Sequence, residues 1–102
     1  SAMSIVSEVT LSSKTPVVCG ESGMVKAGGL ATLGINYYNL GYQAGQMAIR
    51  VLEGADISTM PIEASSNYDF CVNGDTADAL GITVPEKYAD AVVYPSKEAA
   101  AE

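Results

Sequence analysis

Histidine is missing from this sequence, and bases are scarce: five Lys and Arg stand against twelve Asp and Glu. Without histidine no Ser–His pair can form, so acyl transfer would need a lysine or another base, and no local pattern supplies one. A zinc site would need an unusual ligand set, because Cys-x-x-Cys is absent too. Neither a metal nor a cofactor is expected. The bases Lys14, Lys26, Arg50, Lys87 and Lys97 are scattered and build no patch. A net charge of −7 opposes the phosphate neutralisation on which nucleic-acid affinity rests, and it disfavours anionic membrane surfaces for the same reason. No apolar run approaches the ~20 residues needed to span a bilayer. No signal peptide is visible, and Ser1-Ala2-Met3 is either native or a cloning remnant. Neither G-x-x-x-x-G-K-[ST] nor G-x-G-x-x-G occurs, so nucleotide binding is not expected. No carboxylate pair is spaced in a way that reads as glycoside chemistry.

Only two cysteines occur, Cys19 and Cys71, each inside an apolar strand-like run. They read as buried thiols acting as small hydrophobes, with a disulfide left open. The chain has 102 residues, 48% of them apolar, which is one domain or a piece of one. A domain this small buries only roughly two thirds of its unfolded surface, so its stability margin is thin.

The pattern along the chain alternates. Residues 2–12 carry apolar positions near helical spacing and read as a short amphipathic helix. Thr15-Pro16-Val17-Val18-Cys19 reads as a buried parallel strand, broken by Gly20. Ser22 is a candidate cap for a short helix over about 23–27, and Gly28-Gly29 punctuates again. Residues 30–35 read as a strand. Asn36 is a good N-cap for a helix over about 37–53, with Gly54 as its C′ residue. Tyr37, Leu40, Ala44, Met47 and Val51 give that helix one apolar face. Gly41 and Gly45, four apart, predict tight packing of the helix on a sheet. Residues 56–60 read as a loop, 61–64 as an edge strand and 68–72 as a strand. A helix from Asn73 or Gly74 ends at Gly81, and Pro85 suits the first position of another helical turn. Residues 96–102 lack an apolar partner and read as a disordered tail. The order predicts an α/β fold with a mostly parallel sheet flanked by helices.

The informative stretch is residues 20–41, with six glycines, one carboxylate and a Tyr pair between a strand and a long helix. In parallel sheets ligands sit beyond the carboxyl ends of strands, and Glu21-Ser22-Gly23 falls there by position. Glu21 can bind a ligand ammonium or cap the helix dipole. Ser22 and the backbone N–H groups of Gly23 and Met24 are candidates to hold a ligand carboxylate. Together these make a zwitterion clamp. Tyr37, Tyr38 and Tyr42 are either packing residues or a wall beside a ligand. Asp75, Asp78 and Glu86 read as helix-start and solvated charges.

The run from Lys14 to Pro85 resembles the C-terminal portion of the ABC-transporter substrate-binding lipoproteins of the tryptophan/tyrosine type, in the periplasmic binding protein type 1 superfamily. The motifs that carry the resemblance lie in residues 15–29, 30–45, 52–54 (Leu-Glu-Gly), 60–63 (Met-Pro-Ile-Glu) and 73–85. It implies that residues 1–95 are a C-terminal fragment of a two-lobed extracytoplasmic protein, part of one lobe. That protein would close on a small ligand, often an amino acid, and deliver it to an ABC permease. The acid after the Pro-Val-Val strand matches a position that contacts the ligand amino group in related receptors, a role carried onto Glu21, with Ser22 and Gly23 as neighbours. The resemblance also implies that residues 30–35 run toward a hinge, that the following helix packs on the other lobe, and that the chain returns near 68–72. A fragment would then leave apolar faces uncovered and self-associate. A ligand-sensing regulatory domain of the same fold is the alternative, and an α/β enzyme is disfavoured because no nucleophile–base pair is visible.

Overall fold

In the computed structural model, which describes residues 2–101, helices and short strands alternate along the chain. The elements are α1 (Ala2–Ser12), α2 (Ser22–Lys26), β1 (Ala31–Ile35), α3 (Tyr37–Leu52), β2 (Tyr68–Asn73), α4 (Gly74–Leu80), β3 (Val92–Val93) and α5 (Pro95–Ala101). Short 3-10 turns occupy Ile57–Thr59 and Glu86–Ala91. The sheet order is β1-β2-β3. Strands β2 and β3 are parallel, with Val72 opposite Val92 and Asn73 opposite Val93. The chain divides into two compact units, one made of the residues up to Gly34 and from Asp69 onward, the other of Ile35–Tyr68.

The first unit holds the core. Met3 from α1, Cys19, Val25 from α2 and Cys71 from β2 form it, with Val17, Met24 and Val93 packed against them. Val25 is fully buried, a gain of roughly 1.5–3 kcal/mol for such a side chain. Helix α1 turns Met3 inward while Ile5 and Val9 face solvent. It lies close on Gly28, whose φ is +127°, and a Cβ at Gly28 would meet Ser7 at 2.4 Å. Both constraints favour glycine there. Lys14, itself left-handed, ends the first helical segment, and its ammonium donates to the Ala79 carbonyl at 2.6 Å. That places a cation at the carboxyl end of α4.

Asn73 ties three elements together. Its backbone amide donates to Leu30 O at 2.8 Å, so the end of β2 lies beside the start of β1. Its Nδ2 donates to Val25 O at 2.8 Å, and its Oδ1 accepts from Thr76 N at 3.1 Å, which caps α4. Gly81, at φ +72°, closes that helix as a left-handed cap.

The second unit is built on α3, capped by Asn36, whose side chain accepts from Asn39 N at 3.0 Å. No α3 residue is buried. The segment after the 3-10 turn passes along the helix and is pinned there by Glu63, which accepts from Gln43 at 3.1 Å and pairs with Arg50.

Several local expectations change. The Thr15–Cys19 strand shrinks to a single parallel bridge, Val18 with Ala31, because only Val17–Cys19 meets β1. Residues 61–64 are irregular rather than an edge strand, since their polar contacts go to side chains of α3 instead of a ladder. Gly41 and Gly45 have nothing within 4 Å of a Cβ position, and on the apolar side of α3 Leu40 and Met47 are only half-buried. The turn at Pro85 is 3-10 rather than α-helical. β3 was not anticipated, because two valines are too short a run to show a period. Where a disordered tail is predicted over 96–102, α5 runs through Ala101: the Asp75 carboxylate accepts from Ser96 N at 2.9 Å and anchors its first turn. Glu102 lies outside the described residues.

Candidate functional site

The bend Gly20–Gly23 follows the segment that anchors it. Leu30 N donates to Val17 O at 2.8 Å and Cys19 N to Ala31 O at 2.9 Å, locking Val17–Cys19 onto β1. The buried Thr32 hydroxyl donates to Cys19 O at 2.7 Å. Gly34 permits a close approach, since a Cβ there would sit 3.3 Å from Glu21 Cα and 3.4 Å from Gly20 O. The polypeptide therefore delivers Glu21 at a defined place beside the end of β1.

Glu21, not Ser22, is the N-cap of α2. Its backbone is extended, with φ −158°, and its carboxylate reaches over the first turn of the helix. Oε2 accepts from Gly23 N and Oε1 from Met24 N, each at 2.8 Å. The amide pair proposed above for a ligand carboxylate thus donates to the protein's own acid. Glu21 wins because its side chain is tethered two and three residues away and needs no ordering from solution. A Cβ at Gly23 would lie 2.9 Å from Glu21 Oε2, so only glycine leaves the carboxylate its place.

Capping does not exhaust the carboxylate. Two oxygens offer about four lone-pair sites, and the two amides take one on each oxygen. Glu21 also lines a cavity of about 340 Å³, with Ala2, Met3, Gly23, Met24 and Ala27. Glu21 is half-buried, whereas Ser22 and Gly23 are exposed; Ser22 does not line the cavity. The arrangement can accept hydrogen bonds from a cationic or polar donor. It contains no nucleophile–base pair.

Electrostatics around the bend fit a fixed carboxylate. Burial pushes the Cys19 thiol up from its usual range, and the charge of Glu21 pushes it further. Burial also raises the Cys71 thiol, with Lys26 opposing and Glu98 assisting. Both thiols are free and buried. They sit on opposite sides of β1: Ala31 O accepts from Cys19 N and Leu30 O from Asn73 N, and successive strand carbonyls point opposite ways. Two strand spacings of about 4.8 Å separate them, beyond the roughly 7 Å that a disulfide tolerates between Cα atoms. The disulfide left open by the sequence does not fit this backbone.

Tyr37, Tyr38 and Tyr42 belong to the second unit and are exposed. Asp75 is held below the usual carboxylate range by the Ser96 amide and hydroxyl, a structural role. Among the described residues no group of three His, Cys, Asp or Glu could hold a metal ion, and no helix is long and apolar enough to cross a membrane. Thr32, Gly34 and Asn73 position the bend and its helix. Sequence reasoning gave none of them a part in the site, because their partners lie 13 to 48 residues away.

Residues 1–96 match the family model described as ABC transporter substrate binding protein. A curated relative, the tyrosine-binding protein of Clostridioides difficile (strain R20291), is 42% identical over 80 residues, which are 78% of this chain and 23% of the relative. A ligand-free, open structure of a substrate-binding protein with adhesive properties from Clostridium difficile superposes with a TM-score of 0.75 at 42% identity, covering 91% of this chain and 32% of that one. The ABC domain from Streptococcus pneumonia in complex with L-Trp does so with a TM-score of 0.76 at 34% identity, covering 86% and 31%. The chain therefore spans about a quarter to a third of the length of these relatives.

Proposed function

The chain belongs to the ABC transporter substrate-binding protein family, and on that premise we propose that it supplies one wall of an amino-acid site in a larger solute-binding protein. That protein captures an amino acid outside the cell membrane and hands it to an ABC permease, without catalysis. The relatives named for tyrosine and solved with L-Trp support an aromatic amino acid as the ligand.

The observation that carries this reading is the carboxylate of Glu21, oriented by two helix amides, with lone-pair capacity left over, in a residue that lines a cavity. A ligand ammonium takes those lone pairs. The ligand carboxylate is met elsewhere in the larger protein, because the Gly23 and Met24 amides are engaged. Gly23 lines the cavity beside the carboxylate, and Ser22 does not. Closure of two lobes then follows from the ligand's preference for the closed state.

The test is calorimetric titration of the full-length parent with L-tyrosine and L-tryptophan. Glu21→Gln removes the charge and, because Nε2 cannot accept, one of the two cap bonds, and affinity should fall at least about tenfold, as for loss of a charge-assisted contact. Unchanged affinity removes Glu21 from the site. The 102-residue chain alone should self-associate through Ile49, Leu52, Ile57 and Ile62, which are exposed on the second unit. A monomeric sedimentation profile at high concentration counts against that.

A further inference from the structure

The second unit carries a groove whose chemistry differs from the Glu21 bend. Asn39, Tyr42, Gln43 and Gln46 recur at spacings of three and four on α3, so they share one face of the helix. Glu63 and the following residues through Asn67 run past this face and close it into a groove of about 290 Å³.

The lining selects by elimination. Glu63 is the acid at its wall, and its two oxygens are engaged, one by Gln43 Nε2 at 3.1 Å and the other by Arg50. The Gln43 hydrogen bond, opposed by burial and helped by the Arg50 charge, holds its carboxyl below the usual range. Arg50 pairs with Glu63, which offsets its charge, and no Lys or Arg is among the residues lining the groove. A cationic ligand at Glu63 would meet the like charge of Arg50. The remaining groups are neutral. The side chains of Asn39, Tyr42, Gln46 and Asn67 take part in no hydrogen bond among the described residues.

Each amide offers both a donor and an acceptor, the pairing that a hydroxyl, itself donor and acceptor, can satisfy. Tyr42 is 64% exposed and adds a flat apolar surface with a polar tip. Amides in an open groove with one aromatic face suit a ring that carries hydroxyls on its edge and C–H groups on its face. We propose that the groove beside Tyr42 binds a neutral saccharide, with the amides of Asn39, Gln46 and Asn67 on its hydroxyls and the Tyr42 ring against a pyranose face. The site is separate from the amino-acid reading and does not depend on it.

The experiment is a titration of the ¹⁵N-labelled 102-residue chain with N,N′-diacetylchitobiose and with maltotriose. At least one should give saturable shifts at the side-chain amides of Asn39, Gln46 and Asn67, with a Kd on the order of 1 mM. Tyr42→Ala should weaken binding at least about tenfold, the loss of a stacked aromatic face, while Tyr42→Phe retains it. If Tyr42→Ala disturbs the spectrum throughout, Gln46→Ala takes its place and must weaken binding likewise. Failure of both sugars to saturate overturns the proposal. So does binding that survives Tyr42→Ala, or an equal response of the same amides to the capped neutral peptide acetyl-Gly-Ser-Gly-amide.

Discussion

The two units of this chain are built by different rules. Residues up to Gly34 and from Asp69 onward contain every buried side chain among the described residues, from Met3 to Ala77. Ile35–Tyr68 contains a 16-residue helix with none. In the first unit, hydrogen bonds between distant residues meet apolar contacts, as at Asn73 and Thr32. In the second, order comes from a local cap at Asn36 and from polar contacts between α3 and Glu63. Exposed ion pairs such as Arg50–Glu63 contribute little in screened water. An isolated helix of this length is marginal. The comparison teaches that the unit bearing the Glu21 bend can hold a side chain in place by itself, while the other depends on what else covers α3.

Hydrogen exchange should separate the units most widely. Amides of β2 and α4 should be protected at least about a hundredfold more than those of α3, because local opening of α3 exposes no core. Equal protection would erase the distinction. The next largest effect should come from the joint at Asn73. Asn73→Ala removes a cap and the side-chain tie to Val25 O, which keeps its bond from Gly28 N, at about 1–3 kcal/mol by urea denaturation. Asn36→Ala removes the α3 cap and should cost about 1 kcal/mol, read as lost helical signal. Similar costs at the two positions would mean that α3 is as deeply integrated as α4. Gly29→Ala tests the core from another side. A Cβ there would meet Cys19 Sγ at 2.1 Å, so overpacking should cost about 1–3 kcal/mol in the first unit and leave the α3 resonances unmoved.

The smallest effects depend on pH and have opposite signs at the two extremes. Both thiols are raised above their ordinary value of 9.0 in the folded chain. The unfolded chain therefore loses those protons first, and stability should fall as pH rises past 9.0. Cys19→Ala with Cys71→Ala should flatten that alkaline slope. Asp75, Asp56 and Glu63 are lowered, by Ser96, Ser58 and Gln43 respectively. Their contributions are present above the ordinary carboxylate range and lost as pH falls through the lowered folded values. Amide shifts near Ser96 should report α5, and shifts near Gln43 the second unit. Alkaline loss confined to the first unit, with acid loss in both, would sharpen the contrast.

Much of the fold is legible in particular residues. Asn36, Asn73 and Gly81 mark helix ends because each acts within about three residues of itself. The parallel pairing of β2 with β3, and of Val18 with Ala31, fits the alternation of helix and strand. Of the site, the position of Glu21 after a strand was readable, and so were its two candidate partners, a ligand ammonium and the helix dipole. The choice of Glu21 over Ser22 as cap was not, since both residue types occur before helices.

The sequence by itself determined α1, α3 and α4, the caps at Asn36, Asn73 and Gly81, the α/β class and the family, because these follow from side chains a few residues apart and from a run of motifs. Tertiary structure alone decided that Val17–Cys19 is a bridge rather than a full strand and that the two thiols lie two strands apart. Those outcomes depend on which distant backbone groups meet, as Cys19 meets Ala31 and Asn73 meets Leu30. No local pattern encodes a meeting between residues 12 or 43 positions apart, because its free energy resides in a core that exists only once the chain has folded.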